Sequence, residues 1–329
     1  MNTIDTDAYS ATLRLKAIDL ENRKILTTNY ANSEQEKDLT EPTNCNGFGR
    51  VRHFRLKTDA DWPQNPLPIL PARKYLNLPE MDEIRAQVFQ NSVCNWRCWY
   101  CFVDFKLLSG NSKFASMLSC DELLDMYLSE ENRPIMIDLS GGQPDLTPEW
   151  VPWMMEAIKK RGLEDSIFLW SDDNLSNDYF WRFLTQEQID MVTNYRMYAR
   201  VCCFKGIDER SFTLNTRAEP KLFHNQFKLF EKLWATEIDL YGYVTLTAPT
   251  DTDFSKAIPN FLDSLQAIDE SIPLKVVPLK VFEFTPSQSR NMVDKQDLLS
   301  GQQIAIQIWQ EELQKRFSFN DLNRPIYEI

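Results

Sequence analysis

The sequence predicts an α/β fold, a partial (β/α)6 TIM-like barrel with an irregular N-terminal extension and a C-terminal helix. Two observations predict this class. Six short apolar runs follow one another from residue 84 onward, and helical stretches separate them. Strands that alternate with helices form right-handed βαβ units and therefore a parallel sheet. Six such units fall short of the eight in a closed barrel, so we expect a partly open one.

The individual elements follow from apolar periodicity. The predicted strands are residues 84–89, 134–139, 166–170, 197–204, 238–246 and 274–284. The predicted helices between them are residues 121–128, 148–160, 178–192, 220–234 and 253–267. A closing helix is predicted over residues 297–317. In the helix over 253–267, helical spacing places on one face the side chains of Phe254, Ile258, Phe261, Leu262 and Leu265.

The chain divides into three parts by composition. Residues 1–80 form an extension that we expect to cap the barrel: one helix over 6–21, then polar, turn-rich sequence and a proline-rich stretch over 63–71. Residues 81–290 form the barrel. Residues 291–329 form a C-terminal helical segment.

Charge and composition exclude several classes of function. The chain has 36 Lys and Arg against 48 Asp and Glu, a net charge of −12. Such a surface repels a phosphate backbone, so a nucleic-acid partner is not expected. The sequence begins without a secretory signal and has no apolar run of about 18 residues, so we expect no membrane association. Three of the seven cysteines are clustered, which favours metal binding in a reducing cytoplasm over disulfides.

The cysteine cluster is the most informative segment. Cys94, Cys98 and Cys101 fall on one loop directly after the first predicted strand. Three thiolates can bind three irons of a [4Fe-4S] cubane and leave the fourth iron open to an exchangeable ligand. Iron–sulfur clusters normally take four thiolates, so a vacancy means that something else coordinates there.

Two other interpretations of the cysteines remain open. A structural zinc site needs four closed ligands, and Cys45, Cys120 or an acidic residue would have to supply the fourth. A redox pair of Cys98 and Cys101 leaves Cys94 unexplained.

The CxxxCxxC pattern, with the aromatic Tyr100 before its last cysteine, resembles the radical S-adenosylmethionine (SAM) superfamily. The resemblance covers about residues 84–285. It implies that the amino and carboxylate groups of SAM chelate the open iron. It further implies that an electron from the cluster cleaves SAM to methionine and a 5′-deoxyadenosyl radical, which takes a hydrogen atom from a substrate. The implied cofactors are a [4Fe-4S] cluster and SAM, and flavodoxin or ferredoxin is the expected electron donor.

The second predicted strand ends in a segment similar to the GGEP motif of that superfamily, formed by Ser140, Gly141, Gly142 and Gln143. Two glycines let the backbone approach a ligand closely. Gln143 replaces the glutamate of the motif and keeps an acceptor oxygen without its charge. A plain glycine-rich turn after a strand is the alternative.

The third and fourth strands end in further candidates. Asp173 and Asn174 are candidates for binding the ribose of SAM, or for capping the next helix. Lys205 matches the lysine of an Asp-x-Lys pattern in pyruvate formate-lyase activating enzymes, whose aspartate is replaced here by Cys203. Residues two apart on a strand share a face, so Cys203 points inward if Lys205 does. Lys205 is predicted to pair with the SAM carboxylate, or else to be a surface lysine. Cys203 is a candidate catalytic residue, or plain packing.

The predicted function is reductive SAM cleavage followed by hydrogen abstraction from a small-molecule substrate. No cysteine follows Cys203, so we expect no auxiliary cluster after the barrel. Two alternatives stay open: an activating enzyme that places a glycyl radical on a partner protein, and a non-catalytic iron–sulfur sensor. In the extension, Arg50, Arg52, His53 and Arg55 either clamp an anionic substrate group or form a solvated edge strand.

Overall fold

The computed structural model describes residues 3–291 and 293–329. Its strands are β1 (Ile18–Asp19), β2 (Lys24–Thr28), β3 (Gly49–Arg55), β4 (Glu83–Phe89), β5 (Ala115–Ser119), β6 (Met136–Leu139), β7 (Phe168–Asp173), β8 (Tyr198–Lys205), β9 (Leu240–Thr245) and β10 (Val276–Leu279).

The α-helices alternate with the later strands. They are α1 (Thr6–Ala17), α2 (Ile69–Leu76), α3 (Cys120–Ser129), α4 (Trp150–Lys160), α5 (Tyr179–Phe183), α6 (Gln186–Asn194), α7 (Glu209–Thr216), α8 (Phe223–Trp234), α9 (Phe254–Gln266), α10 (Ile272–Lys275), α11 (Thr285–Gln288), α12 (Lys295–Arg316) and α13 (Phe319–Leu322).

The main sheet is a curled half-barrel of seven strands in the order β10-β9-β8-β7-β6-β4-β3. Six strands of this sheet pair in parallel and follow chain order: β4, β6, β7, β8, β9 and β10. Strand β3 pairs antiparallel with β4 at one edge. The mixed α/β class and the six parallel strands are confirmed. The exact (β/α)6 TIM-like arrangement of the partial barrel stays a prediction.

Side chains alternate between the two faces of this sheet, as the period of a strand requires. The concave face, which we call the lumen, carries Met136, Trp170, Val201, Tyr243 and their neighbours. The convex face packs against the helices and carries Ile137, Leu169, Cys202 and Phe204 among others. Cys202 and Cys203 therefore lie on opposite faces, with Cys203 on the lumen side.

The predicted helix over residues 178–192 is two helices in the structure, α5 and α6. Leu184 is extended and separates them. A new N-terminus begins at Thr185, whose hydroxyl accepts from the backbone N–H of Gln188 while the Gln188 side chain returns to Thr185. A reciprocal capping box of this kind satisfies two otherwise free N–H groups and so favours a fresh start over a continuous helix.

The N-terminal extension is more regular than predicted. Strands β1 and β2 form a second, antiparallel sheet with β5. Strand β3 joins the main sheet, and the proline-rich stretch leads into α2, where Pro68 is the N-cap residue. Prolines are tolerated at the start of a helix because the N–H that they lack would have no partner there.

Two parts of the extension contact the lumen side of the half-barrel. Leu67, Ile69 and Ala72 pack among the lumen residues. Between β3 and α2, the Trp62 indole N–H donates to the carbonyl of Pro278 on β10, and the Asn65 side chain bonds the Tyr243 hydroxyl on β9. The segment that follows β3 at one edge of the sheet therefore reaches strands at the other edge.

The closing helix is present as α12 and lies against α9, where Trp309 meets the ring of Phe261. The predicted apolar face of α9 is buried at Phe254, Ile258, Phe261, Leu262 and Leu265. Within residues 3–291 and 293–329, no helix combines the length and the apolar character needed to cross a bilayer.

Candidate active site

The three clustered cysteines lie on the loop that leaves the carboxyl end of β4. Cys94 is buried, Cys98 and Cys101 are partly exposed, and all three are free thiols. A turn links the last two, since the N–H of Cys101 donates to the carbonyl of Cys98 at 3.1 Å. The loop therefore holds one buried and two partly exposed thiols within eight residues.

Two arginines hold the backbone of this loop. The guanidinium of Arg290 donates to the carbonyls of Cys101 and Val103, both at 2.7 Å, and to that of Trp99 at 3.2 Å. The guanidinium of Arg97 donates to the carbonyl of Cys94 at 2.6 Å. A planar guanidinium offers five N–H donors, so one side chain can satisfy several loop carbonyls at once. No pattern in the sequence pointed to Arg290, which lies 189 residues after Cys101.

The donor set fits an iron–sulfur cubane. Among the residues that the structure describes, no three His, Cys, Asp or Glu side chains are grouped as ligands of a metal ion. A cubane differs from a single ion because each thiolate binds a different iron, so the sulfur atoms need not converge on one point. Three free thiols on one loop, two of them partly exposed, suit that arrangement.

The glycine turn after β6 packs directly on the start of the cysteine loop. Gly141 and Gly142 have φ of +76° and +62°, a conformation that favours glycine. A Cβ atom on Gly142 would lie 2.3 Å from the carbonyl oxygen of Asn91 and 2.4 Å from that of Val93. The N–H of Gln143 also donates to the Val93 carbonyl at 2.7 Å. Gly142 is therefore required by packing, whatever ligand the turn binds.

The predicted SAM residues Gln143, Asp173 and Asn174 are brought together in one buried network. The Gln143 amide donates to Asp173 at 2.7 Å and accepts from the backbone N–H of Asn174 at 3.0 Å. The Asn174 amide lies 3.9 Å from the sulfur of Cys94 and donates to Asn95 at 3.1 Å. Their role in binding the ribose of SAM stays a prediction.

The alternative role of Asp173 and Asn174 as helix caps is wrong. The next helix, α5, begins at Tyr179 with Asp178 as its N-cap. Instead, the Asp173 carboxylate accepts from the N–H of Leu175 at 2.9 Å, a local turn in which an Asp side chain commonly takes part.

Lys205 ends β8 on the same side of the sheet as Cys203, and both are partly exposed. Burial lowers the pKa of Lys205, but the neighbouring Cys203, Tyr100 and Cys98 raise it by a larger amount. The pKa of Lys205 is therefore raised overall, and the ammonium form is favoured. Burial raises the pKa of the Cys203 thiol to about 11. The Tyr100 hydroxyl donates to Thr245 on β9. The structure thus places Lys205 beside the cysteine loop, not on the outer surface.

A buried ion pair connects the glycine turn to β8, and sequence reasoning missed it. Arg200, with no exposed surface, donates to Asp145 at 3.0 Å and to the Tyr198 hydroxyl at 3.0 Å. Tyr198 in turn bonds Ser171 on β7 at 2.7 Å. Because Asp145 lies only three residues after Gly142, this pair fixes the turn against the sheet. The sequence feature that could have revealed this ion pair is an arginine, Arg200, within the apolar predicted strand 197–204.

A second group of polar side chains faces the lumen below the cysteine loop. Asp138 on β6 is fully buried, and Asp172 on β7 is partly exposed and accepts from the Ser140 hydroxyl. From β3, Arg52 lies 3.9 Å from Asp138, and Arg50 is buried among aromatic rings. His53 and Arg55 point the other way and pair with Glu83. Strand β3 is thus an edge strand, as one interpretation predicted, with two arginines on its inner face.

A large cavity lies elsewhere, outside the half-barrel between α1, α5 and α8. It is lined by Arg14, Leu15, Arg182 and Lys228 among others, and none of the predicted site residues reaches it. The chemistry-bearing groups are instead at the carboxyl edge of the parallel strands, where loops of an α/β sheet meet.

Comparisons with known proteins give little similarity. No protein-family model matches the chain, and no curated protein matches it. Three solved structures of SuiB from Streptococcus suis are similar in part, each with a TM-score of 0.37. The structure bound to S-adenosylmethionine has 13% identity and covers 54% of this chain and 36% of that chain. SuiB alone has 12% identity and covers 55% and 36%.

The third structure, SuiB bound to the precursor peptide SuiA, has 13% identity and covers 63% of this chain and 45% of that chain. The present chain thus spans less than half the length of SuiB. Similarity of this degree does not establish a family, so the site residues themselves support the function proposed below.

Proposed function

We propose that the protein is a radical SAM enzyme in which Cys94, Cys98 and Cys101 hold a [4Fe-4S] cluster. The observation that carries this proposal is the meeting of three features at one edge of the sheet: the three-cysteine loop, the Gly141–Gly142 turn and Lys205. Of the three, Lys205 separates this proposal from a structural zinc site or an iron–sulfur sensor, because neither of those needs a lysine beside the cysteine loop.

Each residue then has a distinct task. The three thiolates would bind three irons, and Arg290 and Arg97 hold the loop through hydrogen bonds to its carbonyls. The polar backbone groups of the glycine turn bind the ammonium of SAM, and Lys205 binds its carboxylate. When bound at these residues, the cluster would supply the electron for reductive cleavage of SAM, the chemistry that activates a substrate C–H bond. Flavodoxin or ferredoxin is the proposed electron donor.

We further propose that residues 1–80 cap the half-barrel. Support comes from the contacts of Trp62 and Asn65 with β10 and β9, and from Arg50 and Arg52 on the inner face of β3. Excluding water and stray hydrogen donors protects a reactive species in the lumen. The substrate, small molecule or protein, and the place of the protein in the cytoplasm remain predictions.

The test is anaerobic incubation of iron-reconstituted protein with SAM and dithionite, with 5′-deoxyadenosine measured by chromatography. We expect SAM cleavage by the native protein, and loss of both iron–sulfur absorbance and cleavage in Cys94→Ala, Cys98→Ala and Cys101→Ala. Cys45→Ala and Cys120→Ala are matched controls, because these buried cysteines lie away from the loop and should keep both. A Cys98→Ala protein that keeps its full cluster absorbance would overturn the assignment.

Lys205→Ala separates SAM binding from cluster binding. Loss of a hydrogen bond to a charged group costs about 1.5–3 kcal/mol, so SAM should bind roughly 10- to 150-fold more weakly while iron content stays unchanged. Lys205→Arg, which keeps the charge, should recover part of the affinity. Unchanged SAM affinity in Lys205→Ala would place Lys205 outside the pocket. A native protein that holds the cluster but yields no 5′-deoxyadenosine would favour the sensor alternative.

A further inference from the structure

Among the buried carboxylates of the described chain, Asp138 differs from the others in its hydrogen bonding. Among the described residues, four Asp and Glu side chains are buried: Asp138, Asp145, Asp173 and Glu149. Asp145 bonds Arg200, Asp173 bonds Gln143 and Leu175, and Glu149 forms a two-pronged pair with Arg14. Neither oxygen of Asp138 has a hydrogen-bond partner in the described chain. A buried carboxylate without a hydrogen bond is costly, so its retention calls for an explanation.

Arg52 does not provide the missing partner. Its guanidinium lies 3.9 Å from Asp138, beyond hydrogen-bonding distance, and rests 4.1 Å from the centre of the Phe54 ring. Its side chain keeps 34% of its surface exposed, whereas the arginines of the two structural pairs are at most 8% exposed. The chain thus contains closed ion pairs for comparison, and Asp138 with Arg52 is not one of them.

Two polar groups on the strands next to Asp138 keep part of their surface exposed. Asp172 on the next strand and Cys203 on the strand after it face the same lumen and remain partly exposed, although β7 and β8 are central strands of the sheet. Asp172 is close enough to Asp138 that, after burial itself, it is the main cause raising the pKa of Asp138 well above its usual value. Tyr30, whose hydroxyl is also buried without a partner, lies beside Arg50 at the same level.

We propose that Asp138 and Asp172 form the recognition site for a substrate that carries a protonated amine. This inference rests on the proposed radical SAM function, because it names the substrate class for the same lumen. An ammonium has three N–H donors and a positive charge, so it can bond both carboxylates together and remove their mutual repulsion. An anionic or purely apolar substrate group would leave Asp138 unpaired.

The position of the two carboxylates suits that role. They lie on β6 and β7, whose following loops are the glycine turn and the segment of Asp173 and Asn174. The amine would thus bind deeper in the lumen than SAM. A group bound at Asp138 directs the rest of a short substrate toward Cys98, Cys101 and Lys205 at the mouth. Substrates are generally positioned by groups remote from the reacting atoms in this way.

The probes for this proposal are n-butylamine and butyrate, which match in length and differ in charge. Binding of each to the reconstituted protein with SAM is measured by saturation-transfer NMR at pH 7.5. We expect n-butylamine to bind at least tenfold more tightly than butyrate, and both Asp138→Asn and Asp172→Asn to weaken n-butylamine binding at least tenfold. Asp125→Asn, which removes an exposed carboxylate on α3, is the matched control and should not change binding.

Butyrate binding as tight as that of n-butylamine would overturn the proposal, as would full amine affinity in both lumen variants. Asp172→Asn alters a partly exposed side chain and tests the site even if Asp138→Asn folds poorly. The 5′-deoxyadenosine assay on the same samples keeps the two proposals apart. Amine binding without SAM cleavage contradicts only the proposed function, and SAM cleavage without amine preference contradicts only this inference.

Discussion

Gly142→Ala tests whether the glycine turn is fixed by its contact with the cysteine loop. Gly162 provides a matched comparison, because its φ of +64° equals that of Gly142 within two degrees, while a Cβ there would meet nothing within 4 Å. Both substitutions force an L residue into the left-handed region at a cost of about 1–2 kcal/mol. Both recover about 0.4–1 kcal/mol by restricting the unfolded chain. Gly162→Ala should therefore destabilise the protein by about 0–1.6 kcal/mol.

Gly142→Ala carries a further cost. Its Cβ would meet two backbone carbonyl oxygens at 2.3 and 2.4 Å, and a backbone cannot rotate aside as a long side chain can. Overpacking of this kind costs about 1–3 kcal/mol, so the variant should be destabilised by about 1–4.6 kcal/mol in total. The relief of the clash would push Asn91 and Val93 outward and shift the loop that begins at Cys94.

The assay is urea unfolding of the iron-free native protein and both variants, since a bound cluster breaks two-state behaviour. Iron content after reconstitution is the second measurement. We expect Gly142→Ala to lose at least 1 kcal/mol more than Gly162→Ala and to bind less iron, while Gly162→Ala reconstitutes fully. Equal stability of the two variants, with equal iron content, would refute the idea that the turn supports the loop.

Two further predictions concern the lumen and its cover. Burial raises the pKa of Asp138, so the folded protein holds that proton more tightly than the unfolded chain. Its stabilising contribution is complete below pH 4 and is lost as the pH rises through the folded pKa. The stability of Asp138→Asn relative to the native protein should therefore increase from pH 5 to pH 8 in thermal unfolding, and a gap independent of pH would contradict this. Trp62→Ala removes a buried side chain and its bond to Pro278, so proteolysis between residues 56 and 66 should accelerate and SAM cleavage without substrate should rise. A cleavage pattern and a basal rate equal to those of the native protein would show that this segment does not cover the lumen.

Local sequence patterns determined much of this protein. Apolar runs at strand spacing predicted six parallel strands, because a central strand must bury both faces and so reads as a continuous apolar segment. The spacing of the cysteines and the two glycines predicted where the chemistry-bearing loops lie, because loops after parallel strands meet at one edge of the sheet. The inward face shared by Cys203 and Lys205 followed from the period of two in a strand.

The tertiary structure decided what distant parts of the chain do to one another. Arg290 and Cys101 lie 189 positions apart, and Trp62 and Pro278 lie 216 apart, so no local pattern links them. The hidden role of Gly142 depends on the carbonyls of another loop. Asp138 lacks a hydrogen bond because Arg52 from β3 packs on the ring of Phe54 and stays 3.9 Å from the carboxylate. Secondary structure reflects short-range periodicity, whereas a partner for a buried charge is set by packing between elements, and that is fixed only when the whole chain has folded.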